Sequence, residues 1–348
     1  MVQSKKTYKK ILLEGLFLIG ILALTLYSVF HEENPVEIWG YLEQAQIGYL
    51  LFAVFLVIIF ILCESVIIWY LMHTVGQKVV FIHCCLYSFV GFFFSAITPS
   101  ASGGQPAQLY FMKKDKLPLA ISTLILMVVT ITYKAVLIVL GVAVLIFRPS
   151  AVMYYLQPVM AWCYLGIILN VICVWGMLAL VFRPELMYRL AQGVIDVPVR
   201  LFHWRSGKKY LERLDRAMGK YSQAAVYFRN HKRVVLNVFV ITCFQRACLF
   251  LVTAVACRSL GITEGSIGML VILQGMISVA VDMLPLPGGM GITEVLFLCI
   301  FTPLCGENLT LPVLILSRGI SYYTQVGICG IMTAYAYISA SVKGGYKA

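Results

Sequence analysis

Runs of apolar residues long enough to cross a bilayer constrain this chain more than any other feature. Six lie at 11–30, 48–75, 119–147, 159–182, 234–257 and 313–338. A helix needs about 20 apolar residues to cross a hydrocarbon core about 30 Å thick. It also satisfies its backbone polar groups internally, which lipid demands. Only 12% of the residues are charged, about half the share of an ordinary soluble domain. No run alternates as membrane barrel strands do. The expectation is therefore an all-α polytopic membrane protein forming one integral membrane domain over 1–348. The run at 11–30 follows a basic tail. It is too long for a signal-peptide core and no small-residue cleavage site follows, so it reads as a span.

Two further apolar stretches, at 79–98 and 267–284, end in similar interruptions. One reads PSASGGQPAQ and the other PLPGGMGITE, with their Gly-Gly pairs 185 positions apart. Positive charge decides what these interruptions do, because cations gather in cytoplasmic loops. With the basic N-terminus inside, 31–47 lies outside and holds four Glu and no Lys or Arg. A full crossing at 79–98 would then place Lys113, Lys114 and Lys116 outside, together with the 12 cations of the loop at 183–233. A turn back at the Gly-Gly pair removes the conflict. The return limb at 105–112 reaches only about 12 Å as a helix, so a re-entrant hairpin over 79–112 fits better than a span. The same reasoning gives a second hairpin over 267–302, entering from outside. On this topology 22 of the 27 Lys and Arg lie inside, and both termini are cytoplasmic.

The order span, hairpin, span then occurs twice in opposite orientations, over 48–147 and 234–338. Inverted repeats of this kind characterise transporters, with the site near the midplane between the repeats. The expected architecture is about six transmembrane helices plus two re-entrant hairpins in an inverted-topology repeat.

Seven charges fall inside these segments: Glu14, Glu64, Lys134, Arg246, Asp282, Glu294 and Arg318. Ionisable groups at membrane depth are costly and are functional candidates by default. Lys134 lies 31 residues after Gly103, and Arg318 lies 30 after Gly288. Two such cations converging on a wet cavity suit an anionic group, most simply a phosphate. The competing expectation pairs each cation with Glu64, Asp282 or Glu294 and makes them helix locks. Arg246 and Glu64 sit in symmetry-related spans and read as charge-pairing or gating groups. Glu14 reads as interfacial.

Gly103, Gly104, Gly288 and Gly289 allow positive φ and close backbone approach. The limbs after them offer helix N-termini to an anion. Gln105, Gln108, Thr293 and Glu294 fall where side chains line such a cavity, and Ser95, Thr98, Ser100 and Ser102 either join them or bond the interrupted backbone. The loop at 183–233 reads as a polybasic segment on anionic lipid, with 194–204 as an interfacial helix. No nucleic-acid motif accompanies it. The eleven cysteines show no metal-ligand spacing and read as small buried hydrophobes. No catalytic constellation, P-loop or cofactor motif is present, so no cofactor is expected.

The stretches ITPSASGGQPAQLYFMKK and LPLPGGMGITE, in this order and spacing, resemble the paired signatures of the lysylphosphatidylglycerol synthase transmembrane region family. The likeness is to the flippase half of the bacterial multiple peptide resistance factor and covers nearly the whole chain. The resemblance implies a cell-membrane (inner-membrane) protein that moves an anionic or aminoacylated phospholipid, such as lysylphosphatidylglycerol, between leaflets and supports resistance to cationic peptides. Family naming would make it a phosphatidylglycerol lysyltransferase, but no synthase domain follows the last span, so that activity is not expected. The alternatives are a carrier of small anions and a membrane partner of a separate synthase. The sequence leaves homo-oligomerisation open.

Overall fold

A computed structural model describes residues 39–40, 43–98, 101–190, 192, 207–284, 289 and 291–345, with side chains placed except at 207–213 and 338–345. The expected span at 11–30, with Glu14, lies outside the described residues, as do Ser100, Gly288 and all of 194–204. Among the described residues the chain is all-helical.

Among the described residues, four helical segments are long and apolar enough to cross a membrane: Ile47–Thr74, Leu119–Phe147, Ser150–Phe182 and Lys232–Ser259. The first is α1; it ends at Val75, and Gly76 then turns with φ 76°. α4 (Leu119–Phe147) is stopped by Arg148 in the left-handed region, followed by Pro149. The third segment comprises α5 (Ser150–Leu156), a short 3-10 turn at Gln157–Val159 and α6 (Met160–Phe182). α8 (Lys232–Ser259) matches the expected fifth span with an extra turn's worth of residues at its ends.

α1 and α8 form the most extensive helix pair. They run antiparallel. The Gln46 amide donates to Ser259 O, Gln245 Nε2 to Phe60 O and Asn237 Nδ2 to the Tyr70 hydroxyl, each at 3.0 Å. Gln245 is buried, so its amide would be costly in lipid without that carbonyl.

Two shorter helix pairs flank this axis. α2 (Phe81–Ile97) and α3 (Gly104–Lys114) are joined across 98–103. Asp115, just past α3, accepts from Tyr87 at 2.5 Å and lies 2.8 Å from His83 Nδ1, so the two limbs are antiparallel and tied at their base. They touch near the tip. A Cβ on Gly104 would sit 2.7 Å from Gly91 O and closer still to Ser95 Oγ. α9 (Ile267–Val281) and α10 (Ile292–Cys305) make the second pair. The return limbs are longer than expected, 11 and 14 residues. Even so they reach only about 16 and 21 Å.

Two expectations are corrected. The sixth expected span, 313–338, is helical throughout but is not a regular α-helix. α11 (Glu307–Arg318) starts earlier, because the polar turn at Gly306 caps a helix that the apolar run alone does not reveal. A π-helical turn, Gly319–Thr324, then interrupts the chain before α12 (Gln325–Gly345). Arg318 is thus the last residue of α11, directly before the π turn and about three turns into the helical run. The basic loop is also not wholly a loop. α7 (Gly207–Asn230) lies within it and buries Tyr221, Ala224, Ala225 and Phe228 in the cluster containing Leu124 and Met127 of α4. That spacing is one helical face, hidden in the sequence by the surrounding charge.

Candidate functional site

Interrupted backbone and buried charge meet at the middle of the bundle. Two adjoining cavities, about 520 Å³ and about 240 Å³, lie between the two short helix pairs. The larger is lined by Glu64, Gln105, Gln108, Thr130 and Lys134, the smaller by Gln274, Ser278, Thr293 and Arg318. Ser95, Ala101, Tyr133, Arg246, Leu249, Asp282, Tyr322 and Gln325 line both.

Lys134 is buried on α4 and its Nζ lies 2.6 Å from Asp282 Oδ2, just past the end of α9. Asn170 Oδ1 on α6 stands 3.5 Å from the same Nζ. Tyr133, the preceding residue, donates its hydroxyl to the other Asp282 oxygen. Asp282 therefore takes charge from one side chain and a hydroxyl from its neighbour, which helps offset the desolvation of a carboxylate at this depth.

Arg318 is likewise paired. Its Nε and Nη2 both reach Glu294 Oε1, at 2.9 and 2.8 Å. The π turn directly after it places Tyr322, whose ring lies 5.1 Å from the guanidinium and whose hydroxyl donates to Ala96 O at 2.9 Å. The last segment is thereby pinned to the first short helix pair. π turns recur at functional positions because they redirect side chains within an otherwise regular helix.

Arg246 differs from both. It projects from α8 between Tyr133 and Phe60, 3.5 and 5.1 Å from their ring centroids. Its Nε is buried with no hydrogen-bond partner, and among the described residues it forms no salt bridge. Gln274 Oε1 on the same cavity wall is also buried and unpartnered, as is Glu294 Oε2. Buried polar atoms are nearly always satisfied. Three such unpartnered atoms lie at or beside the cavities.

The remaining expected residues fall as follows. Gln108 donates to Glu64 at 3.0 Å and Gln105 to Thr130 at 2.5 Å, both at the larger cavity. Gly103 has φ −81°, and its N–H is taken by Thr98 Oγ1 at 2.8 Å. The expected positive φ and free amide are absent there; the positive φ in that turn belongs to Ala101, at 54°. Gly289 does have φ 68°, as does Gly291 at 84°. Tyr133, Tyr322, Gln274 and Asn170 were not expected. They carry no charge, and a lone amide or phenol in an apolar run has no signal until its partners are known.

These features define an integral multi-pass helical membrane protein with a charged cavity at its centre. Residues 11–329 match the family model described as lysylphosphatidylglycerol synthase TM region, and the chain belongs to that family. Among curated proteins no match was found.

Proposed function

We propose that this protein moves phospholipid across the bacterial cell membrane, binding the headgroup between two re-entrant helix pairs while the acyl chains stay in the bilayer. The observation that carries this reading is Arg246, a half-buried cation whose buried Nε is unpartnered, in a polar cavity that also presents the unpartnered Gln274 Oε1. A phosphodiester accepts from the guanidinium, and a hydroxyl or ammonium on the same headgroup donates to Gln274. Lys134 and Arg318 enter this reading as paired charges. They can turn toward the phosphate only by leaving Asp282 and Glu294.

Family membership supports a role linked to lysylphosphatidylglycerol. The short helix pairs support re-entrant placement, since none of their limbs exceeds 17 residues. The antiparallel α1–α8 axis, with one pair on each side, supports the inverted repeat over 48–147 and 234–338. Orientation follows from charge. Gln46 and Ser259 share one end of the bundle, where Arg148 and Arg258 are the described cations of the adjoining turns. Lys78, Lys113, Lys114, Lys116, Arg183, Lys232 and Arg233 mark the other, which is then cytoplasmic. α7 lies at that cytoplasmic surface, facing anionic lipid and any separate synthase.

The test is reconstitution into proteoliposomes with labelled phosphatidylglycerol and its lysyl ester. Arg246→Ala is expected to slow transbilayer movement tenfold or more, and Arg246→Lys to keep part of it. A folded Arg246→Ala protein that moves lipid at the unaltered rate sinks the proposal.

A further inference from the structure

One ionisable group of the larger cavity has no part in the phosphate reading. Glu64 lies ten residues before the end of α1, about 15 Å along the helix. It is half-buried and lines the cavity. Asp282 and Glu294 each meet a cation, at 2.6 and 2.8 Å. Among the described residues Glu64 forms no salt bridge. Its Oε1 accepts from the Gln108 amide at 3.0 Å instead.

That donor is built in. Gln108 is buried, and its side chain crosses Gly91 of α2 so closely that a Cβ there would meet its Cδ at 2.5 Å. α2 and α3 thus hold the amide against α1. A carboxamide N–H donates to a carboxylate oxygen and to the carbonyl of a carboxylic acid alike. It therefore fixes the place of Glu64 and leaves its charge free to change, which a lysine or arginine in that position would not.

Arg246 stands close by. Its guanidinium lies 5.1 Å from the Phe60 ring, and Phe60 and Glu64 are neighbours on one face of α1. The adjoining Gln245 amide donates to Phe60 O at 3.0 Å, which sets the register of α8 against that turn. The other polar titratable groups of the cavity are committed. Lys134 and the Tyr133 hydroxyl of α4 both meet Asp282, and the Tyr322 hydroxyl of the π turn donates to Ala96 O. The thiols of Cys173 on the cavity wall, and of Cys248 and Cys329 in the cluster around Phe60, complete the set. α2 and α3 present no titratable group to the cavity.

A phosphodiester on Arg246 brings a second negative charge to within about one or two helical turns of Glu64. Like charges so placed in a medium of low dielectric disfavour each other. A proton on Glu64 removes the repulsion, and by linkage the phosphate strengthens the hold on that proton by the same factor. Resting on the phosphate reading of Arg246, we propose that Glu64 is a proton-binding site linked to headgroup binding, so that a proton crosses with each headgroup whose only charge is its phosphate. The carboxylate takes the proton from water on one side of the membrane as the phosphate binds. It returns the proton to water on the other side as the phosphate leaves, and nothing else is consumed. An ammonium on the headgroup can take the proton's place beside Glu64.

The test uses the full chain in vesicles holding a trapped pH-sensitive dye. Labelled phosphatidylglycerol, or its lysyl ester, is supplied in the outer leaflet alone with the membrane potential clamped. Arrival of lipid in the inner leaflet and acidification of the lumen are followed together. Phosphatidylglycerol is expected to bring about one proton per lipid, and the lysyl ester at least about tenfold less. Glu64→Gln, permanently neutral, should cut the protons moved per lipid by about tenfold or more, and Glu64→Asp should keep them. Undiminished acidification per lipid in Glu64→Gln overturns Glu64 as the site. Phosphatidylglycerol that moves in the unaltered protein without acidification, or equal acidification with both lipids, overturns the proton link and leaves the lipid reading standing. Those two results need no variant to fold. No movement of either lipid overturns the lipid reading, and this inference with it.

Discussion

The two glycine turns look alike in sequence and are used differently. At the first, the chain needs room. Gly103 and Gly104 have ordinary negative or helical backbone, and a methyl group on Gly104 would strike Ser95 and the Gly91 carbonyl. At the second, the chain needs a conformation. Gly289 and Gly291 both have positive φ, and a methyl group on Gly291 would meet nothing within 4 Å. The limbs that follow also differ. α3 carries Gln105 and Gln108, which hydrogen-bond to neighbouring helices. α10 is apolar apart from Thr293, Glu294 and Thr302, and Glu294 meets its cation on α11. One motif can serve as a packing notch or as a backbone hinge, and the surroundings decide which.

The charged ends of these two regions give the largest predicted effect. Lys134→Met leaves Asp282 buried against a tyrosine alone and should cost about 3–5 kcal/mol. Adding Asp282→Asn should restore most of it. Thermal unfolding in detergent for the two single variants and the double variant measures the coupling. A purely additive result would break the view of Lys134 and Asp282 as one unit.

Next come the glycines themselves. Gly104→Ala should destabilise by about 2–3 kcal/mol, as overpacking does where backbone is the obstacle. Ser95→Gly should rescue it only partly, because Gly91 O remains in the way. Gly291→Ala should cost about 1–2 kcal/mol through backbone strain alone, with no rescue from any neighbouring side chain. Equal rescue at both sites would erase the distinction between notch and hinge.

Gln108→Leu should cost about 1–3 kcal/mol by leaving Glu64 without its donor. Gln108→Glu should cost more through like charge. Smallest is Thr98→Val, which removes the acceptor of the Gly103 amide and should cost about 1 kcal/mol. Hydrogen exchange at Gly103, faster in that variant while the bundle stays intact, is the matching readout.

Much of the site was legible in the sequence because charge in lipid is conspicuous. Glu64, Lys134, Arg246, Asp282, Glu294 and Arg318 all stood out against apolar runs, and all of them gather at or beside the cavities. Their pairing was not legible. Lys134 and Asp282 are 148 positions apart, and the choice of carboxylate for each cation depends on which helices touch. Arg246 looked like the pairing residue and proves to be the one with an open Nε. Lys134 and Arg318 read either as open to an anion or as paired with Glu64, Asp282 or Glu294, and each is paired.

Composition and run length alone determined that this chain is helical and lives in a membrane, because lipid leaves a backbone few ways to satisfy its polar groups. The placement of Lys and Arg set the topology expected of those runs. Only the tertiary structure decided that α7 folds within a basic segment and docks on α4, and that the last apolar run breaks into a π turn after Arg318. It also decided that the buried Nε of Arg246 has no hydrogen-bond partner while Lys134 and Arg318 are paired. Those outcomes depend on contacts between helices far apart in sequence, and a hydropathy pattern carries only the part of the energy that each segment settles by itself.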